Sequence, residues 1–272
     1  MRARIFLEGR ELTTDLARPV HIGIELDPGS PQPRHFGAPP ACATPFAVPG
    51  FPGAVTRGAS CNCDIITLIP HCNGTHTECV GHLTGERVDA FRRIPPGLLP
   101  ALLVSVDCVE AADAPESTEP LPQAGDWLIT RQALERGWPS STPFKPRALI
   151  IRTRPNDTGK LHRDYSATTP PYLSREAAEL LVSRGIEHLV IDLPSIDRAH
   201  DEGRLTAHRV FFGLPRGSTA LEQATRPQST VTELAFVPDD VADGACLLEI
   251  QAPALGGDAV PSRPLLYRIE LT

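Results

Sequence analysis

The stretch "HCNGTHTECVGH", residues 71–82, concentrates side chains that bind metals or transfer protons. It holds three of the chain's nine histidines, together with two cysteines and one glutamate. Imidazole, carboxylate and thiolate groups are the side chains that bind Zn²⁺ or Mn²⁺ in proteins. His76 and Glu78 are two residues apart, so on an extended segment both side chains point to the same side. The stretch therefore indicates either a metal site completed from elsewhere in the chain, or a group of buried thiols and hydrogen-bonded histidines.

The rest of the chain predicts an α/β domain with more sheet than helix. The segment "LSREAAELLVSRG" (173–185) has a capping serine at Ser174, an apolar helical face and Gly185 for the C-terminal turn. The strand–helix–strand order over 147–193 predicts a parallel βαβ unit. Segments that are rich in β-branched residues, or that consist of a continuous apolar run, predict strands at 3–8, 20–26, 101–109, 126–130, 147–153, 187–197, 246–255 and 265–271.

No linker divides the chain, so we expect residues 1–272 to form a single domain. The chain has 29 prolines, and they cluster in a predicted long loop at about residues 28–53. The net charge of −7 argues against a nucleic-acid partner or an anionic membrane surface, because both need clustered Lys and Arg. Because the N-terminus lacks a secretory pattern and no apolar run suffices to span a membrane, we expect a cytoplasmic protein.

Several segments in colinear order resemble one family of enzymes. The stretch "NGTHTECVGH" resembles the metal-binding signature H-x-G-T-H-x-D-x-P-x-H of the cyclase-like metal-dependent hydrolases, which include bacterial kynurenine formamidase and isatin hydrolase. Cys72 stands at its first histidine, and Glu78 at its aspartate. Further similar segments are "YLSREAAELLVSRGIEHLVIDLPSID" (172–197), "LTAHRVFFG" (205–213) and "APALGGDAVPSRPLLYRI" (252–269).

The resemblance implies a fold and an activity. The family fold is a single α/β domain with a mixed, barrel-like sheet and flanking helices, commonly assembled as a homodimer or a larger homo-oligomer. The implied activity is hydrolysis of a C–N bond in a small amide, formamide or lactam, including aromatic ones, by a water that one or two divalent metal ions activate. A thiolate at Cys72 favours Zn²⁺, and Mn²⁺ remains open.

The resemblance also assigns roles to individual residues of this chain. His82 matches the general acid/base of the family. The implied metal ligands are Cys72, His76, Glu78, His208 and Glu222. Glu222 requires about two inserted residues, and His71 is the alternative to Cys72.

Two departures from the signature, at Cys72 and Glu78, leave a second interpretation open. A catalytically inactive or ligand-binding relative on the same fold would show such replacements. A minor third interpretation is a thiol-based redox or sensor protein that uses Cys61, Cys63, Cys72 and Cys79.

Overall fold

The computed structural model describes residues 1–271. Three α-helices lie within these residues, α1 (Arg131–Gly137), α2 (Arg175–Ser183) and α3 (Thr206–Phe212). The strands are β1 (Arg2–Leu7), β2 (Arg10–Asp15), β3 (Val20–His21), β4 (Cys42–Pro45), β5 (Asp64–Thr67), β6 (His76–Cys79), β7 (Leu99–Asp107), β8 (Val109–Glu110), β9 (Trp127–Ile129), β10 (Ala148–Arg154), β11 (Tyr172–Leu173), β12 (His188–Ile191), β13 (Thr230–Glu233), β14 (Gly244–Gln251), β15 (Ala259–Pro261) and β16 (Arg263–Leu271).

One large mixed sheet organises the domain. Its strand order is β1-β2-β16-β14-β7-β10-β12-β13-β6-β15, with β3 added beside β16. The strands β7, β10, β12 and β13 are mutually parallel, and antiparallel strands flank them on both sides. The prediction of a single α/β domain with a mixed sheet is therefore confirmed.

The prediction that the sheet is barrel-like is wrong. A barrel needs its first and last strands to pair. Within residues 1–271, β1 pairs only with β2 and β15 pairs only with β6, so the sheet stays open. Strand patterns in a sequence do not reveal closure, because closure depends on the twist and stagger accumulated across all the strands.

The central strand β10 shows why its sequence is a continuous apolar run. Leu149 and Ile151 belong to the core on the helix side of the sheet, where Leu181 of α2 also lies. Ile150 points to the opposite face and belongs to a second core with Val237. Both faces of β10 are thus buried, as the sequence predicts for an interior strand.

Helix α2 follows the predicted capping pattern. The Ser174 hydroxyl accepts a hydrogen bond from the Ala177 N–H at 2.9 Å, which satisfies one free donor of the first turn. Gly185, at φ +77°, supplies the left-handed residue beyond the last turn. The strands on either side, β10 and β12, are parallel with Leu149 opposite Leu189, so the predicted βαβ unit is confirmed.

The N-terminal third differs from the prediction in one strand. The strand expected over 20–26 is reduced to Val20–His21, followed by an isolated bridge between Gly23 and Ala235. The proline-rich segment 28–53 contains only β4, which pairs with β5 in a separate exposed hairpin. No helix within residues 1–271 has the length and apolar character that a bilayer span requires.

His188 in β12 gives the fold a defined sensitivity to acid. Its Nδ1 lies 2.9 Å from the Thr230 hydroxyl, and burial lowers the pKa of His188 from 6.5 to about 4. The unfolded chain therefore binds more protons than the folded chain between these values. We therefore expect the folded protein to keep its full free energy of unfolding above pH 6.5. As the pH falls from 6.5 towards 4, protonation of His188 is expected to lower this free energy by about 3 kcal/mol in total.

Urea denaturation of the wild type and of His188→Gln at several pH values measures this effect. As the pH falls from 6.5 to 4, the free energy of unfolding is expected to decrease more in the wild type than in His188→Gln. Parallel pH curves for the two proteins would contradict the assignment.

Candidate metal centre

The pairing of β6 with β13 brings together residues that are far apart in the sequence. In this antiparallel ladder His76 lies opposite Glu233, and Glu78 lies opposite Val231. Because side chains alternate along a strand, His76, Glu78 and Glu233 face the same side of the sheet. Their positions coincide with the carboxyl ends of the parallel strands β12 and β13, where α/β sheets place ligand sites.

Helix α3 covers this side of the sheet and supplies His208. The Asp197 carboxylate accepts hydrogen bonds from the backbone N–H groups of Ala207 and His208, at 2.7 and 3.0 Å. The same carboxylate lies 2.7 Å from the Nδ1 of His208. Asp197 thereby fixes the imidazole so that its Nε2 points to Glu78, the arrangement that carboxylates impose on metal-binding histidines.

The buried atoms at this point lack hydrogen-bond partners. His76 Nε2, Glu78 Oε1 and His208 Nε2 are all buried, and none of them forms a well-aligned hydrogen bond within the described residues. Although Nε2 of His208 and Oε1 of Glu78 are only 2.6 Å apart, they are not aligned as a hydrogen bond. Donor atoms of Glu78, His208 and Glu233 all lie within 4.8 Å of one another. Imidazole nitrogens and carboxylate oxygens that converge in a buried place without well-aligned hydrogen bonds fit a metal ion, since buried polar groups that lack such bonds cost folding free energy.

The charges of the site are balanced by histidines. Burial raises the pKa of the Glu78 carboxyl, but the charges of His82 and His208 hold this pKa well below its ordinary value. Burial likewise lowers the pKa of His208, but Glu78 and Asp197 raise it well above 6.5. Two buried carboxylates, Glu78 and Glu233, thus require nearby positive charge. A divalent cation at the same point would supply that charge.

A second group of ligand-type residues adjoins the first. His71 lies with its Nδ1 2.9 Å from Glu78 and its Nε2 2.9 Å from Asp258. His82 Nδ1 is 3.4 Å from the same oxygen of Asp258, and the His71 and His82 rings are 4.3 Å apart. Burial lowers the pKa of His71, but the hydrogen bonds to Asp258 and Glu78 raise it to about 10. His71 therefore connects the buried group to His82 and Asp258.

Comparison with known proteins identifies the family. The family model described as putative cyclase matches residues 14–198, more than half of the chain. The chain belongs to the cyclase family. A search of the curated proteins finds no significant relative.

Solved structures share the cyclase-family fold over nearly the whole chain. A predicted metal-dependent hydrolase from Bacillus stearothermophilus has 17% identity and a TM-score of 0.57, over 92% of this chain and 98% of that one. Isatin hydrolase A from Labrenzia aggregata, bound to benzyl benzoate, has 17% identity and a TM-score of 0.56, over 92% and 93% of the two chains. An isatin hydrolase bound to the product analogue thioisatinate has 17% identity and a TM-score of 0.57, over 93% of each chain.

Of the residues predicted from the cyclase-family signature, four come together. His76, Glu78 and His208 meet at the buried group, and His82 lies beside them over Asp258. Cys72 lines the cavity, but its thiol belongs to none of the three groups of ligand atoms found within the described residues, and burial raises the pKa of this thiol. Its backbone is held in a turn, where Cys72 N–H donates to Ile69 and Cys72 C=O accepts from His35. That turn directs the adjacent His71 inward instead.

The structure does not bring Glu222 to the other predicted ligands. Glu222 is exposed in the 3-10 turn Leu221–Gln223, on the loop between α3 and β13. The carboxylate that reaches the site is Glu233, at the end of β13. The sequence signal is a weak one: the β-branched residues of "TVTE" (230–233) predict a strand, and an acidic residue ends it. Asp258 likewise lies within the similar segment "APALGGDAVPSRPLLYRI" (252–269), and the resemblance implies no role for it.

A cavity of about 990 Å³ opens above the candidate metal centre of this cyclase-family chain. His35, at its wall, is 4% exposed, and neither of its ring nitrogens has a partner within the described residues. The adjacent Phe36 is exposed, adopts a left-handed φ of +61°, and lies 5.2 Å from the His35 ring and 5.8 Å from that of His200. A non-glycine residue in this region of φ is strained, which is common at ligand sites.

The cysteines that a thiol-based redox or sensor protein would use lie in different parts of the fold. Cys61 and Cys63 are exposed in the loop before β5, whereas Cys79 is buried at the end of β6. Burial raises the pKa of Cys79 to about 11. A reactive thiol needs a depressed pKa, so Cys79 is unsuited to redox chemistry.

Proposed function

We propose that this cyclase-family protein is a metal-dependent hydrolase that cleaves the C–N bond of a small amide, formamide or lactam. The observation that carries this proposal is the convergence of three buried, unpartnered ligand atoms, on His76, Glu78 and His208, beside a large open cavity. A divalent cation held there would lower the pKa of water to about 7 and polarise a carbonyl oxygen.

The proposed ligands are His76, Glu78, His208 and Glu233, with His71 close enough to join them. The inferred preference for Zn²⁺ came from a thiolate at Cys72, and Cys72 is outside this donor set. Imidazoles and carboxylates suit both Zn²⁺ and Mn²⁺. We therefore propose a site for one or two ions of either metal.

His82 is proposed as the general acid/base. It lines the cavity, is partly exposed, and has its Nδ1 3.4 Å from Asp258. Asp258 orients the imidazole so that its other nitrogen is free to face the substrate. In hydrolysis this histidine takes a proton from the attacking water and returns it to the leaving nitrogen.

The cavity wall supports a small aromatic substrate. The Phe36 ring stands at the mouth with its faces available, since more than half of its surface is exposed. His35 offers an unpaired nitrogen, which a carbonyl or N–H group of the substrate would satisfy. An aromatic amide or lactam presents both an apolar ring and such a polar edge.

A homodimer or larger assembly is also proposed. The hairpin β4–β5 and its flanks expose large apolar side chains, among them Phe46, Ile65 and Ile66. Contiguous exposed apolar side chains are typical of surfaces that bind another protein. Sedimentation velocity measures the mass in solution, and a monomer at micromolar concentration would contradict this assignment.

Metal content and turnover test the proposed function together. The purified protein is expected to contain Zn²⁺ or Mn²⁺ by elemental analysis and to hydrolyse at least one member of a panel of aryl formamides, amides and lactams. His76→Ala is expected to lose both. Absence of turnover on the whole panel, with either metal added, would favour the inactive, ligand-binding alternative. Metal retained by His76→Ala would remove this histidine from the ligand set.

A pair of neighbouring substitutions distinguishes the two candidates for the first ligand. Because His71 contacts Glu78 while the Cys72 thiol lies outside the ligand groups, Cys72→Ser is expected to keep its metal. His71→Ala is expected to weaken metal binding about 10- to 100-fold, the range found when groups that hold a metal ligand are removed. Titration with a chelator measures both affinities. The reverse result would restore Cys72 as the ligand.

A further inference from the structure

We propose that a second cleft, on the outer side of α3, binds a multiply charged oxyanion of the phosphate class. The cleft has a volume of about 320 Å³ and is separate from the metal centre. We call it the arginine cleft, and its charged residues are Arg175, Arg204, Arg209, Arg216 and Glu119. The proposal does not depend on the hydrolase function.

The charge of the cleft is opposite to that of the whole protein. The chain has a net charge of −7, yet four guanidinium groups line this cleft against one carboxylate. The arginines come from separate elements: Arg175 begins α2, Arg209 lies in α3, and Arg204 and Arg216 lie in the loops on either side of α3. Tertiary folding has therefore collected positive charge that its own carboxylates do not balance.

Most of the guanidinium donors in the cleft remain available. Arg175 lies 3.8 Å from one oxygen of Glu119, and Arg216 contacts the other oxygen. Arg204 has only a 3.7 Å contact with Glu202, whose side chain is 70% exposed. The side chains of Arg175 and Arg204 donate no hydrogen bond within the described residues. Arginine presents its donors as a planar fork that matches phosphate and carboxylate groups.

Arg209 has a structural role that differs from that of the other three arginines. Its guanidinium donates to the backbone carbonyls of Arg204, Pro215 and Ser218. It therefore holds the loops that carry Arg204 and Arg216 in place around the cleft. Because these loops are already ordered, anion binding costs less conformational entropy.

The cleft lies behind one wall of the larger cavity. Leu205 lines that cavity, whereas its neighbours Arg204 and Thr206 line the arginine cleft. The four arginines exceed the two carboxylates that contact them, Glu119 and Glu202, and an anion with two or more negative charges would balance this excess. The volume of about 320 Å³ accommodates a group of the size of a diphosphate or phosphate ester.

Isothermal titration calorimetry of the full-length, metal-loaded protein with pyrophosphate tests the proposal. Arg204→Gln and Arg216→Gln are each expected to weaken binding about tenfold, the loss typical of one charge-assisted hydrogen-bonded contact. Glu119→Gln is expected to tighten binding, because it removes the competing carboxylate. Arg131→Gln, an exposed position on α1, is the matched control and is expected to change nothing.

A second probe and a second variant separate the other sources of binding. Tight binding of citrate with the same arginine dependence would support the cleft but assign it to polycarboxylates. His76→Ala is expected to keep pyrophosphate affinity, because the metal centre is not involved. Binding that is lost in His76→Ala and unchanged in Arg204→Gln and Arg216→Gln would overturn the proposal, as would the absence of millimolar binding at low salt.

Discussion

Replacing Glu233 by glutamine is expected to remove most of the bound metal and to lower kcat/KM by at least 100-fold. Glu233 is buried, has its Oε2 3.4 Å from His76, and has its Oε1 3.6 Å from His208. Its Oε1 also accepts the backbone N–H of Ile196 at 2.9 Å, which fixes the carboxylate in position. A glutamine of the same size keeps the shape but removes the negative charge that a divalent cation needs.

Glu222→Gln is the matched control for this experiment, since Glu222 is the glutamate that sequence resemblance alone selects. Because Glu222 is exposed in the turn before β13, this change is expected to leave metal content and kcat/KM unchanged. Elemental analysis and steady-state kinetics of the two variants compare them directly. If Glu222→Gln lost the metal and Glu233→Gln kept it, the site described here would be wrong.

Replacing Lys160 by methionine is expected to lower the free energy of unfolding by about 3–5 kcal/mol, the cost of leaving a buried charge without its partner. The Lys160 ammonium lies 2.7 Å from the Asp192 carboxylate, and the two side chains are 4% and 0% exposed. Asp192 also accepts hydrogen bonds from the backbone N–H and the hydroxyl of Thr153. Since burial already raises the pKa of Asp192, loss of the cation leaves a poorly solvated carboxylate.

Two further variants identify the cause of this destabilisation. The double variant Lys160→Met/Asp192→Asn carries no unpaired charge and is expected to be more stable than Lys160→Met alone. Arg147→Met breaks an exposed pair with Glu187 and is expected to cost less than about 1 kcal/mol. Urea denaturation at pH 7 measures all three. A loss below about 1 kcal/mol in Lys160→Met would show that the buried pair contributes little.

The ion pair also matters to the candidate metal centre, because Asp192 directly follows β12 and residues after it line the cavity. Pro194 and Ser195 form part of the cavity wall, and Asp197 orients His208. The Lys160–Asp192 pair anchors the start of this segment to β10 through Thr153. A stability defect at Lys160 is therefore expected to be accompanied by weaker metal binding.

The sequence by itself determined the elements whose signals are local. The apolar run of β10 indicates burial on both faces, and Ser174 and Gly185 mark the ends of α2. The spacing of His76 and Glu78 predicts side chains on the same face, and the β6 ladder shows it. These properties depend on the side-chain period of a strand or helix and on helix capping. Both can be recognised from a few consecutive residues.

Only the tertiary structure decided which side chains come together at the candidate centre and whether the sheet closes. Glu233 reaches His76 because β13 pairs with β6, and these strands are separated by about 150 residues of chain. His71 rather than Cys72 faces Glu78 because the turn backbone is held by Ile69 and His35. Long-range pairing and backbone hydrogen bonds set these contacts, and their partners cannot be identified from the spacing within one segment.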